Sequence, residues 1–134
     1  MNKTILMLLL LAGLAGCKKN NTKPVFNGTY SGKFTHGMEK NRATTDSEIN
    51  FSGNSYTSTL GSGTFTVQKN NVISFEDKNF YTTEFDWNMI LKQDYTYQIK
   101  GDSLILTKKF PQVAKPGEVK VTDWLYQYRL KKKN

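Results

Sequence analysis

Few side chains in this chain are of a type that could do covalent or acid–base chemistry. There is one cysteine, Cys17, and one histidine, His36, so any nucleophile–base relay would rest on a single imidazole. His36 falls between two strand-like stretches and reads as a solvated loop residue, and one imidazole does not make a histidine metal centre. Carboxylates cluster at Glu76-Asp77 and at Glu84-Asp86. Two carboxyl groups roughly 5 to 9.5 Å apart across a cleft can cleave a glycosidic bond. Adjacent or alternating acids beside a turn read more simply as solvent-facing charges paired with nearby lysines. Gly61-Ser62-Gly63 lacks the downstream Lys-Ser/Thr and the helix of a phosphate loop and reads as a hairpin turn. The expectation is a protein that is not an enzyme and has no cofactor or metal.

Cys17 stands behind a segment with its own logic. Lys3 is followed by a nearly continuous apolar run from Ile5 to Leu14 and then by small residues, the layout of a secretory signal peptide. A bilayer-spanning helix needs roughly 20 apolar residues, and Lys18 and Lys19 end this run too early. An unpaired thiol is a liability in an exported protein, where disulfides form freely. Leu14-Ala15-Gly16-Cys17 resembles the lipobox of bacterial lipoproteins. The resemblance implies that residues 1–16 are removed as a signal peptide, that the Cys17 thiol carries diacylglycerol, and that its new amino terminus is acylated. Each buried methylene contributes about 0.8 kcal/mol, so two or three chains hold a protein on a membrane where one does not. Lys18 stands where Asp would mark retention at the inner membrane, and KKNNTK holds no acid, so the resemblance implies the outer membrane and its periplasmic face. Residues 17–24 form a polar tether.

Removing residues 1–16, which contain Lys3 and no acid, takes the formal charge from +8 to +7 and leaves 118 of the 134 residues. That length makes one domain with one core. The lysines are scattered and Arg42 and Arg129 are the two arginines, which argues against nucleic acid as a partner.

The elements that position everything else are strands. Apolar and aromatic residues recur at every second position: Gly28, Tyr30, Gly32 and Phe34; Ile49 and Phe51; Phe85, Trp87, Met89 and Leu91; Tyr95, Tyr97 and Ile99; Trp124, Tyr126, Tyr128 and Leu130. Gly53-Asn54, Gly61-Ser62-Gly63, Asn70-Asn71 and Gly101-Asp102 supply turn residues at short intervals, so consecutive hairpins of a meander are expected. His36–Thr45, Asp77–Thr83 and Phe110–Val121 are the longer connections and the candidate functional loops. The predicted fold is all-β: one antiparallel up-and-down meander of about eight strands over residues 25–134, closing into a barrel. Closure would join the strand beginning at Gly28 to the one ending at Leu130 and remove aggregation-prone edges.

In pattern the chain resembles the lipocalin-like (calycin) group of small bacterial lipoproteins. Gly28-Thr29-Tyr30 stands where lipocalins have Gly-x-Trp, and Arg129 lies in the last strand, where they stack an arginine on that ring. The resemblance implies a barrel whose base is closed by a cation on Tyr30. Two readings of the aromatic inner face stay open: a filled core, or a cavity for a small hydrophobic ligand or lipid. Tyr30, Trp87, Tyr97, Trp124 and Tyr126 are the candidate ligand contacts. If the barrel is filled, the outer face and loops would instead hold an envelope protein or a protease.

Overall fold

The computed structural model describes residues 23–82, 87–110 and 124–134. The signal peptide, Cys17 and most of the tether therefore lie outside the described residues, as do Glu84, Phe85, Asp86 and most of the Phe110–Val121 connection.

Eight strands follow one another: β1 (Gly28–Met38), β2 (Ala43–Ser52), β3 (Ser55–Ser58), β4 (Ser62–Val67), β5 (Val72–Asp77), β6 (Gln93–Lys100), β7 (Ser103–Lys108) and β8 (Trp124–Lys132). Each pairs antiparallel with the next, and β8 returns to β1, so the sheet is a closed barrel in up-and-down order. The seam runs from Tyr30 opposite Lys132 to Met38 opposite Trp124. Gly32 allows it: a Cβ there would lie 2.1 Å from the Arg129 carbonyl oxygen.

Strand direction gives the barrel two different ends. At one, the turn end, β2–β3, β4–β5 and β6–β7 are joined by tight connections. Asn70 and Asn71 take φ of 60° and 56° and Gly101 takes 61°, the left-handed region that Asn and Gly tolerate. The N-terminal segment enters at this end. The other, the loop end, carries the β1–β2, β3–β4, β5–β6 and β7–β8 connections.

Inward-facing aromatic and aliphatic residues fill the barrel. Phe34, Ile49, Ile73, Leu91, Tyr95, Leu104 and Leu106 are all at 0 % exposure, so no water-sized space touches them. Phe75 meets Tyr56 and Tyr95 edge-on at 5.1 and 5.6 Å, and Phe34 stacks on Tyr128 at 4.3 Å. Phe26 closes the turn end against Phe51, Phe65 and Tyr97.

Four expectations are corrected. The alternation through Trp87, Met89 and Leu91 is not a strand but a single 3-10 turn, Trp87–Met89, followed by a segment laid across the loop end. Met89 and Leu91 are buried as a strand face would bury them, yet side chains hold this backbone: Tyr128 Oη donates to the Met89 carbonyl at 3.3 Å and Tyr56 Oη to the Leu91 carbonyl at 2.8 Å. His36 is not in a loop, because β1 continues to Met38 along β8 and leaves only Glu39–Arg42 as the connection. The β5–β6 connection runs past Thr83 to Lys92. Arg129 does not reach Tyr30: it is exposed and its Nε donates to Gln127 Oε1 at 2.7 Å, while Lys132, the register partner of Tyr30, places Nζ 5.9 Å from the Tyr30 ring centre.

Candidate functional site: the loop-end mouth

The five candidate contacts divide between the two ends. Tyr30 and Tyr97, at 8 % and 7 % exposure, belong to the core near the turn end, packed on Phe51 and Phe26 respectively. Their rings face neighbouring side chains rather than the mouth. Trp87, Trp124 and Tyr126 meet at the loop end.

Alternation along β1, β7 and β8 points His36, Met38, Lys108, Trp124 and Tyr126 toward the barrel axis at its mouth. Below them the floor is Phe34, Tyr128 and Met89. Tyr126 is the hub. Its ring stacks beside Trp124 at 6.1 Å and 24°, takes Phe110 edge-on at 5.4 Å, and faces His36 at 5.9 Å. His36 in turn stacks on Phe34 at 5.2 Å. Tyr126 Oη donates to Asn88 Oδ1 at 2.8 Å, which ties the strand to the segment carrying Trp87.

Two ammonium groups border these rings. Lys108 Nζ lies 5.5 Å from the Tyr126 ring centre and Lys92 Nζ lies 5.6 Å from that of Trp87. Burial first, and the Lys92 charge second, hold Lys108 below the ordinary lysine value. Among the described residues the ion pairs are Lys33–Asp46, Lys131–Asp102 and Lys133–Glu48, and neither Lys92 nor Lys108 takes part in one.

Beside the mouth, Asp77 organises the β5–β6 connection. Tyr81 Oη donates to its carboxylate, 2.8 and 2.9 Å from the two oxygens, and the Asn79 amide donates to it at 2.9 Å. Glu76, the neighbouring acid, points to the opposite face and is exposed. The two do not share a cleft, so this pair does not form a glycosidase site. Among the described residues no group of three or more His, Cys, Asp or Glu side chains could hold a metal ion.

The exposed large hydrophobic residues are unevenly distributed. Met38, Phe80, Trp87 and Trp124, at 49 %, 103 %, 47 % and 41 % exposure, are at the loop end, whereas Val25 and Ile99 are near the turn end. Met38 and Trp124 are register neighbours, and Tyr81 packs on Trp87 at 5.5 Å, so contacts run along the rim from Met38 to the residue beside Phe80. A cleft of about 540 Å³ lies at the turn end between the N-terminal segment and β4, where Lys23 Nζ donates to the Val67 carbonyl at 2.9 Å.

Sequence reasoning picked out the aromatic residues of the mouth but not its lysines. A lysine in a chain with many gives no signal until register sets it beside a ring. Compared with protein-family models, curated proteins and solved structures, the chain has no match.

Proposed function

We propose that this is a lipid-anchored cell-envelope protein whose lipocalin-like barrel is an interaction module: Cys17 holds the turn end toward the membrane and the loop-end mouth takes the partner. The observation that carries the reading is the concentration of exposed Met38, Phe80, Trp87 and Trp124 at the end opposite residue 23, above an interior filled by its own side chains. Contiguous exposed apolar surface marks interaction sites, and aromatic residues dominate the energetics of such contacts. The lipobox-like Leu14-Ala15-Gly16-Cys17 supports the anchor and its outer-membrane, periplasm-facing placement.

The test is photo-crosslinking in cells with a reactive residue in place of Trp124, and in separate cells in place of Lys69 at the turn end. Discrete adducts from position 124 and none from position 69 are expected. Adducts confined to position 69, or none from either, would overturn the reading. Mass spectrometry of the N-terminal peptide is expected to show the thioether-linked lipid on Cys17; a bare thiol would remove the anchor.

One observation favours a second reading, a small hydrophobic ligand inside the barrel. The Tyr95 hydroxyl is buried within the core and has no hydrogen-bond partner, so the polar tip of a ligand that displaced the side chains around it would find a donor there. Fatty acids titrated against the chain should then change the tryptophan emission of Trp87 or Trp124, and Tyr95→Phe should weaken the change.

A further inference from the structure

We propose that the turn end is a docking face for an anionic lipid bilayer, with Lys23, Lys69, Lys100 and Lys132 on headgroup phosphates and Val25 in the apolar layer beneath them. The assignment rests on Cys17 being the anchor and names what the barrel does beside the membrane that holds it.

Charge is the first argument. The turn end gathers lysines from separate parts of the chain: Lys23 before β1, Lys69 between β4 and β5, Lys100 at the end of β6, and Lys131, Lys132 and Lys133 at the end of β8. All of them are exposed. Asp102, in the β6–β7 turn, and Glu48, on β2, pair with Lys131 and Lys133. Among the described residues no carboxylate pairs with Lys23, Lys69, Lys100 or Lys132. Residues 1–22, which lead into this end, contain no Asp or Glu. Glu84, Asp86, Glu118 and Asp123, outside the described residues, belong to the β5–β6 and β7–β8 connections, which join their strands at the loop end.

The arrangement of these groups is the second. Lys132 shares the inward phase of Tyr128 and Leu130, so at the end of β8 it stands over the plugged barrel, with Nζ 5.9 Å from the Tyr30 ring centre. Lys23 Nζ donates one proton to the Val67 carbonyl and keeps two for a phosphate. Val25, next to the Phe26 plug, is 89 % exposed, and Ile99, next to Lys100, is 45 % exposed. Cations around exposed aliphatic side chains suit a headgroup layer over hydrocarbon. The large exposed hydrophobic residues of this end include no aromatic ring, the group that dominates protein contacts and stacks nucleic-acid bases.

Reach is the third. Six residue steps separate Cys17 from Lys23, a span of at most about 20 Å. A lipid on Cys17 therefore keeps these lysines beside the headgroups, where each one strengthens docking about fivefold. Docked in this way, the barrel stands on its turn end and presents the loop-end mouth away from the bilayer.

The experiment adds the full chain, as isolated from cells, to phosphatidylcholine vesicles with or without phosphatidylglycerol. Flotation reads whether the chain is held. A fluorophore at Ser52→Cys on the turn end, or at Phe80→Cys on the loop end, is quenched by a nitroxide on the lipid headgroups. The chain is expected to float with both vesicles. Position 52 should be quenched with phosphatidylglycerol but not without it, and the quenching should fall with added salt; position 80 should stay unquenched in both. Lys69→Gln and Lys100→Gln should each lower the docked-to-undocked ratio about fivefold, and Lys40→Gln and Lys78→Gln, at the loop end, should leave it unchanged. Equal loss from the loop-end variants would reduce the effect to net charge and overturn the proposal. A chain that floats with both vesicles but shows no quenching at position 52, or the same quenching without phosphatidylglycerol, overturns the docking face and leaves the anchor standing. Flotation with phosphatidylglycerol vesicles alone, weakened by Lys69→Gln and Lys100→Gln, keeps the docking face and removes the anchor. Flotation with neither removes both.

Discussion

Two buried tyrosines show how differently one hydroxyl group can act in the same core. Tyr56 and Tyr95 are at 2 % and 0 % exposure. Tyr56 has one phenolic proton and two acceptors in reach, the Leu91 carbonyl at 2.8 Å and Asp77 Oδ2 at 3.3 Å. The shorter contact takes the proton, so Tyr56 pins the segment that stoppers the mouth, while Tyr81 serves Asp77. Tyr56→Phe leaves the Leu91 carbonyl buried without that donor and is expected to cost about 1–3 kcal/mol. The hydroxyl of Tyr95 has no partner. Its desolvation is unreturned, so Tyr95→Phe is expected to be neutral or to stabilise by up to about 2 kcal/mol. Urea unfolding of the two variants checks both signs. A loss above about 1 kcal/mol in Tyr95→Phe would show that the hydroxyl has a partner after all, such as an internal water.

At the scale of elements, the seam between β1 and β8 is where the fold is least forgiving. A Cβ on residue 32 would meet the Arg129 carbonyl oxygen at 2.1 Å and the Leu130 Cα at 3.0 Å. Both are backbone, so neither can swing aside. Gly32→Ala is expected to lower stability by about 1–3 kcal/mol, the usual cost of overpacking, and to speed amide exchange along β8 more than along β5. Equal exchange in the two strands would mean that the seam absorbs the methyl group. The strands themselves could be read in advance because a half-buried sheet forces a period of two on the sequence, and the turns because Asn70, Asn71 and Gly101 adopt positive φ at low cost. The stopper could not: a segment spanning the mouth buries Met89 and Leu91 in the same alternating way as a strand, and only the partner of its carbonyls distinguishes the two. That Tyr30 and Tyr97 lie near the turn end rather than at the mouth was hidden for a related reason. Alternation says that a side chain points inward, but strand direction and the plug formed by Phe26 decide whether the end that it approaches is open.

For the whole molecule, burying so many tyrosines makes stability depend on alkaline pH. In the unfolded chain a phenol ionises near its ordinary value of 10.0, whereas burial raises Tyr95 and Tyr56 well beyond it, with Asp77 adding to the rise of Tyr56. Burial also raises the more exposed Tyr30 and Tyr81, whose contributions solvent screens. Above pH 10 the folded chain therefore binds more protons than the unfolded one, and stability falls as pH rises. Lys108 works in the opposite sense, since its lowered value makes the folded chain bind fewer protons as pH approaches 10.5. One partly buried lysine does not offset two buried phenols, each worth up to about 1.4 kcal/mol per pH unit. The barrel is expected to hold its stability up to about pH 10 and then to unfold cooperatively, with phenolate absorbance rising together with the loss of strand signal in circular dichroism. Tyr95→Phe should flatten the slope above that pH by about 1.4 kcal/mol per unit, whatever it does to stability at neutral pH. Phenolate absorbance that rose fully before the strands melted would place these hydroxyl groups in contact with water, and the filled interior on which the mouth assignment depends would fall with it.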